Sequence, residues 1–379
     1  MNSTNYFSLN EDCSLKMLEY PAVFNKKTEE LYKLNDGAMQ FIAENQNIES
    51  DRFGGEEFFD YLAREQIYNS RESPVEEREF SLKPVGSPSL RYLLMHLTTD
   101  CNLKCKHCYH GDPKSETLSY DTAKNVLDEM QDMQGLTVLL SGGEAMCYEN
   151  FWKINDILPD YDMNFVLLTN GTKITEENAK KLNLNKVQVS LDGLKNGHDF
   201  MRGEGSYEKT INGIRNLKNA GKDVGIATMI HKNNINEFEM LEKLLFNYGI
   251  NDWIVSAPFA AGRWEQYTKY SVDIETGSSM KKRYEKVGEG PHRSSGDYAC
   301  GTHLLTIMAD GTYASCALME DRIGNVNDMS LEEAWDKKEK IKLSELEECS
   351  DCESLKVCKG GCRYNAQKNG DSLGVDPIA

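Results

Sequence analysis

The sequence predicts an α/β protein built on a partial, TIM-like (β/α)6 barrel, with a small unit before it and a cysteine-rich unit after it. Three observations carry this. From Arg91 onward, apolar stretches of strand length alternate with helical stretches through six successive pairs, the pattern of a parallel sheet covered by helices. Before Arg91 lies a polar run, 71–90, with three prolines and no apolar periodicity, which is the composition of a linker. From Cys300 the alternation stops and cysteines crowd the chain.

Within residues 1–70, short strands are expected at 6–9, 14–18 and 22–24, punctuated by Asn10-Glu11-Asp12 and Pro21. Helices are expected at 28–34, 36–44 and 56–65, with Asn35-Asp36-Gly37 breaking the first two apart. In residues 91–299 the strands fall at 92–97, 136–140, 165–169, 187–191, 224–230 and 253–256. The helices between them fall at 119–131, 150–157, 175–182, 207–220 and 235–248. Six units fit a partial barrel better than an eightfold one. Residues 265–299 read as irregular and charged. In 300–379, Asp310-Gly311-Thr312 reads as a hairpin turn and 331–335 as a short helix.

A chain of 379 residues has room for two or three domains. Its 39% hydrophobic and 27% charged residues are ordinary for a globular protein. A formal charge of −18 repels phosphate backbones and anionic lipid, so neither nucleic acid nor membrane is expected as a partner. No apolar run reaches the roughly 18 residues of a membrane span. The N-terminus has neither a basic region nor an apolar one of signal-peptide type. The expected location is cytoplasmic.

In a reducing compartment the spacing of the eleven cysteines reads as metal ligation rather than disulfides. Cys13 and Cys147 stand apart and read as small core residues, although Cys147 follows a glycine-rich loop and could face a site. Cys101, Cys105 and Cys108 form a C-x3-C-x2-C knot where the first barrel strand ends. Three thiolates so spaced suit three irons of a [4Fe–4S] cubane and leave the fourth iron open to a ligand. In parallel α/β proteins that end of the strands is the functional edge. A zinc knuckle is the alternative for these three residues taken alone.

Four further elements follow in order. Ser141-Gly142-Gly143-Glu144 comes after the second strand, and Leu168-Thr169-Asn170-Gly171 ends the third. Val189-Ser190-Leu191-Asp192-Gly193 ends the fourth, and Arg202 lies twelve residues after Ser190. With the cysteine knot, this series from about Arg91 to Pro258 resembles the radical S-adenosylmethionine (SAM) superfamily. The resemblance implies a SAM-binding [4Fe–4S] cluster on Cys101, Cys105 and Cys108. It implies that Gly142 and Gly143 admit the methionine end of SAM and that Glu144 takes up its ammonium. Ser190 and Arg202 would contact SAM, with Arg202 as a charged fork for the carboxylate. His107 stands where the superfamily packs the adenine. The implied chemistry is reductive cleavage of SAM to a 5′-deoxyadenosyl radical that abstracts a hydrogen atom, with electrons from a donor such as flavodoxin or ferredoxin. No residue of this sequence is assigned as a catalytic acid or base.

In the C-terminal quarter, Cys300 and Cys316 flank Gly311, and Cys349-x2-Cys352-x5-Cys358-x3-Cys362 follows. This resembles the SPASM extension of radical SAM enzymes. The resemblance implies two auxiliary [4Fe–4S] clusters, one on Cys300, Cys316 and Cys362, the other on Cys349, Cys352 and Cys358. A seventh cysteine of the pattern is expected shortly after Ala379 in a longer native chain; otherwise a non-cysteine ligand completes the second cluster. A zinc ribbon would account only for Cys349 and Cys352.

Pro21-Ala22-Val23-Phe24-Asn25, the run from Thr28 to Asn35 and the last helix resemble the PqqD-like peptide-recognition domains, which are small and winged-helix-like. A generic winged-helix cap is the alternative, and its many acids argue against DNA. The resemblance implies a leader peptide added as a strand at Pro21, Val23 and Phe24. The expected domains are 1–70 for leader recognition, 71–90 as linker, 91–299 as barrel and 300–379 as cluster domain. The implied function is maturation of a ribosomally made precursor peptide, forming a cross-link such as a thioether, with an auxiliary cluster accepting the surplus electron. The alternatives are oxidation of a protein side chain, as in the anaerobic sulfatase-maturing enzymes, and modification of a small molecule or tetrapyrrole.

Overall fold

Six parallel strands in chain order form the centre of the molecule: β7 (Tyr92–His96), β8 (Thr137–Ser141), β9 (Asn164–Thr169), β10 (Lys186–Ser190), β11 (Asp223–Met229) and β12 (Asp252–Ser256). The computed structural model describes residues 5–53, 57–112, 114–286, 297–319 and 321–377. Strands β8 and β9 are buried almost throughout, as expected of near-continuous apolar runs covered on both faces. The covering helices follow from sequence in the same way. Tyr120–Asp132 starts where the Ser119 side chain accepts the Thr122 N–H, and buries Ala123, Val126, Leu127 and Met130. That is the i, i+3, i+4, i+7 stripe of a one-sided helix. A further helix, Ile274–Tyr284, lies in the region expected to be irregular. It is capped by Asp273 and places Tyr284 against Trp253 of β12. Residues 287–296 of that region lie outside the described residues.

The sheet does not end at β7. Strand β13 (Leu304–Ile307) pairs with it in parallel, Leu304 opposite Tyr92, and β14 (Thr312–Ala314) and β15 (Gly324–Asn325) follow antiparallel. The cysteine-rich segment is therefore built onto the barrel as part of one nine-stranded sheet. Its four-residue core strand is too short to stand out in sequence.

The N-terminal unit contains β1 (Tyr6–Leu9), β2 (Cys13–Met17), β3 (Pro21–Asn25), β4 (Leu31–Lys33), β5 (Asn47–Glu49) and β6 (Tyr68–Arg71). They form two three-stranded sheets, β5-β1-β6 and β2-β3-β4, with helices Asp36–Glu44 and Glu57–Arg64. Glu56, the expected start of the second of these helices, lies outside the described residues. Two expectations are corrected here. The helix expected at 28–34 is instead a turn leading into β4. The Asn25 side chain accepts the Lys27 and Thr28 N–H groups, and Glu29 adopts a positive φ of 62°, so the chain reverses before a helix can start. Pro21, Val23 and Phe24 are not an edge. They lie in the central strand of their sheet, with Val23 and Phe24 only 0% and 2% exposed. Both sides of β3 are already paired; β2 and β4 are the two edges of this sheet. Of these β2 is buried and covered, its Met17 N–H bonded to the Gln134 side chain and its Cys13 carbonyl to Arg78, which leaves β4 as the more open one.

Residues 72–90 form no strand or regular helix, yet they are pinned rather than loose. Asn47 and Gln46 side chains bond the backbone of Val75 and Arg78, the Arg78 guanidinium reaches the Cys13 carbonyl at 2.5 Å, and Phe80 and Leu82 pack on the N-terminal core. The unit docks where the barrel strands begin. Lys16 Nζ donates to the Gly135 carbonyl at 2.9 Å, Lys26 pairs with Asp162 at 3.4 Å, and the Asn164 side chain donates to Glu29 at 2.7 Å. Among the described residues, no helix is long and apolar enough to cross a membrane.

Candidate functional site

The cysteine knot emerges from the far end of β7, opposite the N-terminal unit. Cys105 is buried, and Cys101 and Cys108 are half-buried. The loop is clamped from several sides. Lys106 donates its N–H to the Met201 carbonyl at 2.8 Å and its ammonium to the Phe200 carbonyl at 2.6 Å. Arg263 donates its backbone N–H to the Cys108 carbonyl and its Nε to the Cys105 carbonyl, both at 3.0 Å. The three thiols are electrostatic neighbours in sequence order, Cys101 with Cys105 and Cys105 with Cys108. Burial pushes Cys101 up to about 12 and Cys105 upward, the latter countered by Arg202. Iron is the kind of partner that holds such thiols as thiolates. Among the described residues, no three side chains converge on one metal ion, whereas a cubane spreads its thiolates over three irons.

Gly142 and Gly143 press their backbone against this loop. A Cβ on Gly143 would lie 2.4 Å from the Thr99 carbonyl oxygen, and one on Gly142 would lie 2.3 Å from that of Thr98. Gly143 and Glu144 donate their N–H groups to the Thr98 and Asp100 carbonyls at 2.7 and 2.9 Å. Here the glycines act on the protein's own cysteine loop. The Glu144 carboxylate is 2% exposed and accepts from Thr169 Oγ1 and the Asn170 N–H, both at 2.8 Å, and from the Met146 N–H. Burial raises its pKa, and these donors counter the rise. Glu144 thereby ties the end of β9 to the loop after β8. Ser190 ends β10, half-buried.

Arg202 closes the helix Lys195–Arg202 and points at the knot. Its Nε donates to Asp192 Oδ2 at 2.6 Å, Nη1 lies 3.9 Å from Cys105 Sγ, and Nη2 lies 3.3 Å from His107 Nε2. Burial alone would raise Asp192; the Arg202 guanidinium, together with His107, His198 and the Met229 N–H, outweighs it and holds the carboxyl down to about 2. Asp192 was not singled out in sequence; its place one residue before Gly193 in the fourth strand-end motif was the available signal. His107 Nδ1 is buried without a hydrogen-bond partner among the described residues. An orphaned polar atom beside three thiols is what a bound cofactor would satisfy. The residues present fit a [4Fe–4S] cluster with SAM beside it.

In the C-terminal segment, burial pushes Cys300 up to about 12, and its thiol neighbours are Cys362 and Cys316. Cys349 neighbours Cys358 and Cys352. The fold thus gathers two separate sets. Asp376, 6% exposed, accepts the Cys362 N–H at 2.7 Å and went unnoticed in sequence. Cys147 lies beside the knot, 3.7 Å from Lys173 Nζ. Pro21, Val23 and Phe24 belong to the distant N-terminal unit.

The Radical SAM superfamily matches residues 95–245, and the SPASM iron–sulfur cluster-binding domain matches residues 300–362. The AdoMet-dependent heme synthase of Nitratidesulfovibrio vulgaris is 28% identical over 341 residues, covering 77% of this chain and 93% of that protein. The mycofactocin maturase MftC of Mycolicibacterium smegmatis is 28% identical over 307 residues, covering 71% and 77%. In fold, the chain is similar to Streptococcus suis SuiB, crystallised with the precursor peptide SuiA, with a TM-score of 0.67 at 16% identity over 98% of each chain.

Proposed function

Since the chain is a radical SAM enzyme whose barrel is followed by a SPASM iron–sulfur domain, we propose that it matures a ribosomally made precursor peptide. The observation that carries this reading is the open edge of β4, in a recognition-sized unit fused ahead of the barrel. A leader peptide adds there as a fourth strand, with main-chain hydrogen bonds giving affinity and Tyr32 and Tyr61 beside it offering side-chain contacts. Support comes from SuiB, whose match over 98% of this chain must take in most of that unit. Further support is that a mycofactocin maturase is among the similar proteins.

Cys101, Cys105 and Cys108 would hold the SAM-binding cluster. Cys300, Cys316 and Cys362 would hold one auxiliary cluster, and Cys349, Cys352 and Cys358 another. When bound, these groups supply a hydrogen-abstracting radical and an acceptor for the surplus electron. His107, Ser190, Glu144 and the Gly142-Gly143 turn surround the place for SAM, and Arg202, anchored by Asp192, sets the charge beside Cys105. The bond we favour is a cross-link such as a thioether, which removes two hydrogens from the peptide. Flavodoxin or ferredoxin would serve as electron donor.

A second reading, chemistry on a tetrapyrrole, is favoured by the match to 93% of a heme synthase. One anaerobic assay separates the two. The reconstituted enzyme is given SAM, dithionite and whichever short peptides are encoded next to its gene, and in parallel an iron porphyrin. Loss of two hydrogens from the peptide is expected. An unchanged peptide with a modified porphyrin would overturn the peptide reading.

A further inference from the structure

A cavity of about 300 Å³ lies between the cysteine loop and the C-terminal hairpin. Its walls include His96, Tyr109 and His110 on the barrel side and Met308, Met319 and Tyr364 on the other. Tyr109 is an electrostatic neighbour of both Cys108 and Cys316, so the cavity sits between the two cysteine sets. It is at the small end of ligand sites, which run from roughly 300 to 1,000 Å³. That is room for an amino-acid residue rather than a tetrapyrrole.

Two imidazoles in its wall have unmet hydrogen-bonding capacity. His96, the last residue of β7, is 1% exposed, and its Nδ1 has no hydrogen-bond partner among the described residues; the same holds for His110 Nε2. Their rings are 4.8 Å apart. Buried polar atoms are nearly always paired; the two residues line the cavity while these nitrogens are covered as the side chains stand, so a polar ligand would meet them by a small turn of the rings toward it. Tyr109 OH lies 3.3 Å from His96 Nε2. When the phenol donates to Nε2, the ring proton resides on Nδ1, which is then a donor.

We propose that this cavity takes the reacting residue of the peptide substrate, with His96 Nδ1–H donating to an amide carbonyl of that residue and His110 bonding its neighbouring amide. The proposal rests on the peptide reading above. Burial holds His96 down at about 3, with His110 adding to the effect, so the imidazole is uncharged and suits a neutral amide better than a carboxylate. His96 is a positioning residue here; the hydrogen-bearing carbon is held by it and not attacked by it.

The test uses which ring nitrogen matters. His96→Asn keeps a donor near the Nδ1 position, and His96→Gln places an amide near Nε2, whose oxygen can still accept from Tyr109. With the holoenzyme and the peptide of that assay, His96→Gln should raise KM about five- to tenfold, the size of one hydrogen bond. His96→Asn should stay within about twofold of wild type. Iron content and the unfolding midpoint of each variant check folding. The reverse order, Gln tolerated and Asn not, would show that only the Tyr109 contact matters and overturn the proposal. Equal losses in both would overturn it as well. If the wild-type enzyme leaves the peptide untouched, the peptide reading itself falls, and the assignment of the cavity with it. If wild type modifies the peptide and the variants behave alike, only the cavity assignment falls.

Discussion

Replacing Asp192 with Asn should destabilise the iron-free protein far more than the cluster-loaded protein. In the fold, Asp192 is 0% exposed and Arg202 8%, with Nε and Oδ2 2.6 Å apart. Asn keeps the shape and an acceptor for the Met229 N–H, but leaves a buried guanidinium without its counter-charge. Breaking a buried pair from one side costs about 3–5 kcal/mol, a large share of the roughly 5–15 kcal/mol that hold a domain folded. Of the other groups within reach, His107 Nε2 at 3.3 Å and Cys105 Sγ at 3.9 Å, Cys105 is the one that can carry a negative charge. Without iron, burial favours its neutral thiol; with a cluster it becomes a thiolate and replaces part of the missing charge. Urea unfolding under anaerobic conditions, with and without reconstituted iron, reads both values. A double variant, Asp192→Asn with Arg202→Met, should be less unstable than Asp192→Asn alone, because the stranded charge is gone. The pH dependence has a definite sign. The folded carboxyl lies below its ordinary 3.8, at about 2, so its stabilising contribution is complete above about pH 4 and is lost as pH falls toward 2. Equal losses with and without iron, or a loss below about 0.5 kcal/mol, would refute the reasoning.

Three further outcomes are expected. Replacing Cys101, Cys105 and Cys108 together with Ala should abolish 5′-deoxyadenosine formation under dithionite while iron remains on the protein; persistent product would remove the assignment. Gly143→Ala should cost about 1–3 kcal/mol as overpacking and lower iron incorporation, since its Cβ would lie 2.4 Å from the Thr99 carbonyl oxygen; normal iron content would contradict this. In the precursor peptide, shortening the spacer between leader and modified residue below roughly ten residues should abolish modification while leader binding, read by fluorescence anisotropy, persists. About half of that spacer merely matches the five-residue length of β8, because an extended chain covers at most about 3.3–3.6 Å per residue.

The barrel was legible in sequence because its signals are long and redundant. Each of the six strands is an apolar run, and helical stretches follow them, two of which, Tyr120–Asp132 and Glu176–Lys181, begin at a Ser or Thr side-chain cap. The N-terminal unit was less so. Thr28 to Leu34 has helical composition, but the Asn25 side chain and the left-handed Glu29 turn the chain before a helix nucleates. Pro21-Ala22-Val23-Phe24 reads as a strand and is one. Sequence cannot say, however, that both of its neighbours are filled, because pairing is a property of the sheet. The strand Leu304–Ile307 was hidden by its length and by the loss of alternation around it. At the site, the cysteines announced themselves by spacing. Lys106 and Arg263 did not, because each acts through a partner distant in the chain, Phe200 and Cys105; Asp192 and His96 did not, because only the folded loops bring them to Arg202 and Tyr109.

On the proposed peptide reading, the arrangement separates recognition from chemistry. The N-terminal unit meets the barrel through a small apolar patch, Leu18, Phe24 and Leu136 with Leu31 beside them, and a ring of polar contacts at the starts of β8, β9 and β10. In β/α barrels that end contributes stability and the opposite end carries the reaction. A unit docked there can supply a peptide edge without crowding the cysteine loop or the cavity beside it. The β4 edge and the His96 cavity then lie at opposite ends of the same strands, so on the proposed peptide reading a leader held at one end would deliver its reacting residue to the other through an extended span. Similarity to both a heme synthase and a peptide maturase is intelligible on the same ground. Barrel and cluster domain can be shared while the substrate is set by what is attached at the stable end and by the few side chains that line the reactive one.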